Sequence, residues 1–272
     1  MTDLFSLKNK VAIVTGSMGL IGKQHCIALA EAGANVVITD IDKNECEIFA
    51  EELQAATLNE TFGIGADITS RSSLENLRNM VIDKFGEVDI LVNNAAINDK
   101  FENPTSAAEQ SKFENYPLEL WQKSLDVNIT GMFLCSQILG TVMAENGSGS
   151  IINVASTYGL VAPDQSIYEK PDGTQPFFKS PSYPTTKGAV ISFTKFLATY
   201  WAKKGVRVNA LCPGGVENGQ DEYFIRNYSS KTPMGRMAKP TDYKGALVFL
   251  ASDASSYMTG ANLVVDGGWT AW

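Results

Sequence analysis

Seven short β-branched runs, apolar almost without interruption and alternating with stretches of helical length, are the feature that most constrains how this chain can fold. They fall at 11–15 (VAIVT), 36–40 (VVITD), 64–66 with its lead-in, 90–93 (ILVN), 150–155 (SIINVA), 206–212 (VRVNALC) and 263–266 (LVVD). A strand with one wetted face alternates apolar and polar residues, whereas a near-continuous apolar strand is covered on both faces. Helices are expected near 20–32, 43–56, 70–85, 117–145, 183–203 and 240–251. Repetition of this kind predicts an α/β fold, a doubly wound parallel sheet with right-handed crossovers and helices on both faces. Ligands of such a sheet gather at the carboxyl ends of its strands.

At 272 residues and 44 % hydrophobic, with no Pro/Gly/Ser-rich linker, the chain reads as one domain spanning 1–272. Its net charge of −8 argues against nucleic acid or an anionic membrane as the main partner, since both need clustered Lys and Arg. No apolar run approaches the ~20 residues of a membrane span, and MTDLFSLKNK lacks the layout of a signal peptide. Cys26, Cys46, Cys135 and Cys212 show no C-x-x-C spacing and read as reduced thiols of a cytoplasmic protein. His25 is the only histidine, so a His-rich metal site is disfavoured and no metal is expected. His25 itself reads as a structural helix residue behind the first turn.

The first strand runs into Gly16-Ser17-Met18-Gly19-Leu20-Ile21-Gly22 and then a helix. Glycines at such a turn let the backbone approach a pyrophosphate, and the helix N-terminus offers N–H donors and a positive dipole end. The second strand ends in Asp40, eighteen residues past Gly22, the spacing at which a carboxylate reaches the adenosine ribose hydroxyls. A carboxylate there repels a 2′-phosphate, and neither Lys23 nor Lys43 is placed to offset it, so NAD is expected rather than NADP. Asp42 is better explained as a helix N-cap.

Further along, Tyr183 and Lys187 in Y-P-T-T-K follow a strand ending in Ser156. A phenol with an ordinary pKa near ~10 is a poor base at neutrality. A lysine four residues later on a helix shares its face, and its ammonium favours the phenolate. Ser156 can hydrogen-bond a substrate oxygen, while Tyr183 takes the alcohol proton in oxidation or donates one in ketone reduction. Pro184 fits only a first helical turn, so the helix should begin near 180–183.

Together these residues make the chain resemble a short-chain dehydrogenase/reductase, a Rossmann-like family, over essentially its whole length. The resemblance is carried by Thr15-Gly16 with Gly19 and Gly22, Asp67 in GADIT, Asn93-Asn94-Ala95-Ala96, Asn128 in LDVNITGMF, Ser156, the Tyr183/Lys187 pair and Pro213-Gly214. It implies that Asp67 meets the adenine amino group, that 93–95 line the adenosine side, and that the backbone from Pro213 to Val216 lies against the nicotinamide. It also gives Lys187 the nicotinamide ribose and Asn128 a proton-relaying water chain. The implied catalytic set is Asn128, Ser156, Tyr183 and Lys187. The cofactor set is Gly16, Ser17, Gly19, Leu20, Ile21, Gly22, Asp40, Ile41, Asp67, Ile68, Asn94, Ala95, Ala96, Tyr183, Lys187, Pro213, Gly214 and Val216. Plainer readings stand beside these: Asn93 and Asn94 as stabilisers of a strand end, Pro213-Gly214 as a turn, Asn128 as the partner of a buried backbone group. Leu20 occupies the place of the usual middle glycine, an arrangement that resembles the extended, nucleotide-sugar branch, and Ala96 stands where glycine is usual.

Ser156 and Tyr183 are 27 residues apart, about twice the separation common in the family. The surplus predicts a substrate lid insert at about 157–182, bearing Tyr168, Phe177 and Phe178. The stretch from Asn94 to Asn128 is also long and is expected beside it. Wording such as PGGVEN and TPMGRMA resembles bacterial enzymes associated with surface-glycan and flagellar-sugar synthesis. The expected function is NAD-dependent hydride transfer to or from a secondary alcohol or ketone of a small-molecule sugar, sugar phosphate or sugar-derived substrate. A 3-oxoacyl thioester or hydrophobic ketone reductase, a nucleotide-sugar epimerase or dehydratase, and a non-catalytic nicotinamide sensor remain as alternatives. A homo-oligomer, tetramer or dimer, is expected, with GANLVVDGGWTAW as a candidate contact.

Overall fold

The computed structural model describes residues 4–99 and 104–272; the N-terminal residues 1–3 and residues 100–103 of the second expected insert lie outside it. Seven parallel strands form one sheet: β1 (Val11–Thr15), β2 (Asn35–Asp40), β3 (Thr61–Gly65), β4 (Ile90–Asn93), β5 (Gly149–Val154), β6 (Val206–Pro213) and β7 (Asn262–Val265). Their order is β3-β2-β1-β4-β5-β6-β7, so the direction of winding reverses between β1 and β4. That switch point opens a crevice outside the carboxyl ends of the strands.

The helices are α1 (Leu20–Glu31), α2 (Lys43–Thr57), α3 (Arg71–Phe85), α4 (Pro104–Ser111), α5 (Leu118–Leu125), α6 (Met132–Asn146), α7 (Ser182–Trp201), α8 (Glu222–Lys231) and α9 (Lys244–Ala251). Successive strand side chains point to opposite faces. Val11 and Ile13 join a core with α3, α6 and α7, while Ala12 and Val14 join a second core with α1, α2 and α9. Fully burying one such Val, Leu or Ile stabilises the fold by ~1.5–3 kcal/mol, which is why both faces of β1 are apolar.

The helix expected at 117–145 is three segments: α5, a π-helical stretch Asp126–Gly131, and α6. Its continuous run, Leu118–Asn146, has a mean hydropathy of 1.4 over its most apolar window and passes the length and composition test for a membrane span. This corrects the expectation that no segment does. In the fold 61 % of that window is buried, with Leu134, Cys135, Ile138, Leu139 and Met143 in the core. Helices α4 and α8 are absent from the sequence expectation, because α4 is short and polar (PTSAAEQS) and α8 mixes polar and aromatic residues (EYFIRNYSSK).

Candidate active site

The turn between β1 and α1 shows how the early glycine is accommodated. Gly19, not residue 20, is the N-cap of α1, and Leu20 opens the helix with its side chain largely exposed. Gly16 has φ +64°, and a Cβ on Gly22 would stand 2.2 Å from the Gly16 carbonyl oxygen, so neither position has room for a side chain. No side chain caps Gly19, and the first turn of α1 carries no acidic residue. The leading N–H groups and dipole end of α1 are therefore open to an anionic group, as a dinucleotide pyrophosphate requires.

Polar side chains hold this turn in place. Ser17 Oγ donates to the Val14 carbonyl at 2.6 Å and accepts from Thr39 N at 3.0 Å, so its side chain is committed to joining β1 and β2. Thr15 Oγ1 accepts from the backbone N–H groups of Asn94 and Ala95, each at 3.1 Å. Asn94 Nδ2 donates to the carbonyls of Thr15 and Gly16 at 3.0 and 2.9 Å, tying the ends of β1 and β4 together. Asn93 lies beneath them and donates to Ser136 Oγ and Asn153 Oδ1. Asp40 Oδ2 accepts from Met18 N at 3.0 Å and Oδ1 from Ile41 N at 2.8 Å. The carboxylate is thus fixed at the tip of β2, while Ile41 projects into solvent.

Asp67 is exposed and closes a turn, accepting from Thr69 N and Thr69 Oγ1, while Ile68 is buried in the core. Ala96 is exposed just past β4. At the end of β6, Pro213 and Gly214 pair alongside β7, with Gly214 N donating to Val265 O at 3.0 Å. Val216 bridges Ala238, and Tyr228 Oη accepts from Gly215 N at 2.6 Å.

The four residues expected to act on substrate come from three segments, with Tyr183 and Lys187 both on α7. Asn128 sits in the π-helical stretch, only 1 % exposed. Its Oδ1 accepts from Ile97 N at 2.8 Å, and its Nδ2 donates to Ile97 O and Thr186 Oγ1. It clamps the segment after β4 onto α7. Ser156 follows β5, and its hydroxyl accepts from Tyr158 N at 3.1 Å and lies close enough to Tyr183 to favour the phenolate. Helix α7 begins at Ser182, so Pro184 falls in its first turn as expected from its missing N–H. Lys187 is buried, and its Nζ donates to the Val154 carbonyl at 2.7 Å and stands 5.7 Å from the centre of the Tyr183 ring.

The electrostatics differ from the simplest expectation. Burial pushes the Tyr183 phenol up, and the nearby Ser156 hydroxyl opposes it. Burial pushes Lys187 down to about 8, partly offset by the nearby Cys212. Burial therefore dominates at Tyr183, and the net depression anticipated from the Lys187 spacing is not present in this state.

Sequence reasoning missed a second lysine. Lys179, from the insert, places its Nζ 4.3 Å from the Tyr183 ring centre and 6.0 Å from that of Tyr158. Its nearest hydrogen-bond partner is Asn98 Oδ1 at 2.7 Å. Nothing local in FFKSPSY signals this; the position follows from the path of the insert. The insert itself is well anchored. Ile167 and Tyr168 are buried in a cluster with Tyr228, Met237 and Trp269, Asn227 Nδ2 donates to Ile167 O and Glu169 O, and Phe178 N donates to Ser111 Oγ at 2.8 Å. Tyr168 is therefore packed largely into protein, with part of it lining the cavity beside Phe177 and Phe178. A cavity of about 460 Å³ remains between the insert and the start of α8.

A parallel sheet with this switch point, a glycine turn and a Ser-Tyr-Lys constellation define a nicotinamide oxidoreductase of the doubly wound class. Residues 10–169 match the family model for short chain dehydrogenase, and residues 172–270 match that for enoyl-(acyl carrier protein) reductase. The NAD-dependent glycerol dehydrogenase of Listeria innocua is 31 % identical over 271 residues, covering 98 % of this chain and 96 % of its own. The galactitol 2-dehydrogenase (L-tagatose-forming) of Cereibacter sphaeroides is 35 % identical, covering 99 % and 98 %. Among solved structures, a gluconate 5-dehydrogenase from Burkholderia cenocepacia, in complex with NADP and tartrate, superposes with a TM-score of 0.87 at 29 % identity, covering 99 % and 98 %. The chain belongs to the short-chain dehydrogenase/reductase family.

Proposed function

We propose that this protein is an NAD-dependent dehydrogenase or reductase of a secondary alcohol or ketone on a sugar or sugar-derived small molecule. The observation that carries the reading is the convergence of Ser156, Tyr183 and Lys187 at the carboxyl ends of the strands, with Asp40 at the tip of β2. The exposed α1 N-terminus and the crowded Gly16/Gly22 turn suit a dinucleotide. The chemistry supplied by a bound nicotinamide is hydride transfer. Ser156 holds the substrate oxygen, Tyr183 moves its proton, and Lys187 stabilises the phenolate while reaching the nicotinamide ribose. Asn128 fixes the backbone through which a proton relay reaches solvent.

Three named relatives and neighbours act on glycerol, galactitol and gluconate, and the polar cavity walls of Asn98, Lys179, Gln220 and Asp221 suit a hydroxylated ligand better than an apolar one. NAD preference rests on Asp40, which repels a 2′-phosphate. Four buried free cysteines suit a reducing cytoplasm. Homo-oligomerisation is supported by an exposed aromatic row on α7, where Phe196 stacks on Tyr200 at 5.7 Å. The test is a turnover screen of the pure protein with NAD⁺ and NADP⁺ against polyols, aldoses, sugar acids and sugar phosphates. Absence of turnover on all of them, or turnover with NADP⁺ alone, would overturn the proposal.

A further inference from the structure

We propose that Lys179 is a specificity residue whose ammonium receives an anionic group, carboxylate or phosphate, of the sugar substrate as its alcohol carbon lies against Tyr183; the assignment rests on the dehydrogenase reading above. Lys179 Nζ stands over the Tyr183 ring at 4.3 Å and also lines the cavity between the insert and α8. It makes no ion pair among the described residues, and its hydrogen-bond partner, Asn98 Oδ1, is a neutral amide. The ammonium is half-buried, its company is the Asn98 amide and the faces of the Tyr183 and Tyr158 rings, and burial holds its pKa down at about 8.

The other charges nearby do not complete it. Asp99 also lines the cavity and partly stabilises Lys179 through space, but its carboxylate already accepts from three hydroxyls. Ser182 Oγ and the Tyr116 hydroxyl meet Oδ2, and Ser124 Oγ meets Oδ1 at 3.2 Å. Asp221, on the opposite wall, lies close to Tyr223, whose phenol is pushed up by burial and by this carboxylate. Lys187 is turned to the Val154 carbonyl. An ammonium whose polar partner is a neutral amide is the complement of an oxyanion. In a protein of net charge −8, such a local cation is also what an anionic substrate needs in order to enter.

The experiment compares wild type, Lys179→Met and Lys179→Arg with NAD⁺ on glucitol, gluconate and glucitol 6-phosphate, alongside NADH affinity and melting temperature. The expected wild type favours at least one anionic substrate over glucitol by ~10-fold or more in kcat/KM, the scale of a charge-assisted hydrogen bond. Lys179→Met should abolish that ratio mainly through KM, and Lys179→Arg should keep part of it. The favoured arm identifies the anion as carboxylate or phosphate. A wild type without anionic preference overturns the proposal, as does an equal fall on all three substrates in Lys179→Met. If none of the three is turned over, the dehydrogenase reading is what fails. Calorimetric titration of gluconate and glucitol 6-phosphate into NADH-loaded protein then decides the subsite: binding lost in Lys179→Met upholds it, and no binding to wild type overturns it.

Discussion

His25 should make the fold sensitive to mild acid. It lies on α1 behind the glycine turn, is fully buried, and neither ring nitrogen has a hydrogen-bond partner among the described residues. Burial lowers its pKa from 6.5 to about 4. An unfolded chain binds the proton below 6.5, whereas the folded chain resists it until about 4, so protons pull toward unfolding as pH falls through that window. The stability associated with the neutral ring is complete above pH 6.5 and is lost progressively toward pH 4. Linkage over these two pKa values gives a loss of about 2 kcal/mol on going from pH 7 to pH 5. His25→Leu removes the titration and the two unpaired nitrogens while keeping an apolar side chain of similar size. Leaving a buried polar group unsatisfied costs ~1–3 kcal/mol, so the variant should be at least as stable as wild type at pH 7. Urea denaturation followed by circular dichroism at pH 7 and pH 5, at one protein concentration, measures both. Shared carboxylate effects cancel in the comparison, and wild type should lose about 2 kcal/mol more than His25→Leu. Parallel losses would refute the argument.

The other predictions concern the crevice. Tyr183→Phe should cut kcat by ~10²–10⁴-fold while NADH affinity stays within a few-fold, and retention of more than a tenth of wild-type kcat would contradict Tyr183 as the proton-transfer group. Lys187→Met should damage both turnover and cofactor binding, measured by the same assays. Asp40→Ala removes the acceptor for Met18 N and the proposed ribose contact, so fluorescence titration should show NADH binding weakened by ~1–3 kcal/mol; tighter wild-type binding of NADPH than NADH would count against the proposed cofactor preference. Replacing residues 165–178 with a short Gly/Ser linker should raise KM for the substrate and leave NADH affinity largely intact. It should also lower the melting temperature, because Ile167 and Tyr168 leave the cluster they share with Trp269; unchanged kinetics would show that the insert does not serve as a lid.

Local chemistry made much of this legible in the sequence. All seven strands lie where their β-branched runs placed them, with ends shifted by a residue or two, except β3, which forms mostly in the lead-in to 64–66. A parallel strand covered on both faces needs apolar residues at successive positions, and that pattern is read without knowing what covers it. Gly16 and Gly22 were recognisable because a strand-to-helix turn calls for glycine locally, as the positive φ of Gly16 shows, although the close neighbour that crowds Gly16 is Ala95 from beyond β4. Tyr183 and Lys187 were recognisable because the helical repeat alone puts residues four apart on one face. Helix α7 starting just before Pro184 follows from proline's missing N–H in the same way.

What the sequence determined by itself, then, is whatever depends on neighbours along the chain: the strand–helix alternation, the turn that opens α1, and the spacing on α7. Tertiary structure alone decided the rest. Whether Asn128 is a mid-helix ornament or a clamp depends on Ile97 and Thr186, which reach it from other segments. The Tyr183 phenol moves up, not down, because burial is a property of the assembled crevice. Lys179 faces Tyr183 only because Gln165 and Ser111 hold the returning arm of the insert, with Gln165 Oε1 accepting from Lys179 N and Ser111 Oγ from Phe178 N. Such contacts join residues far apart in sequence, and their geometry is set by packing and desolvation, which no local pattern of residues encodes.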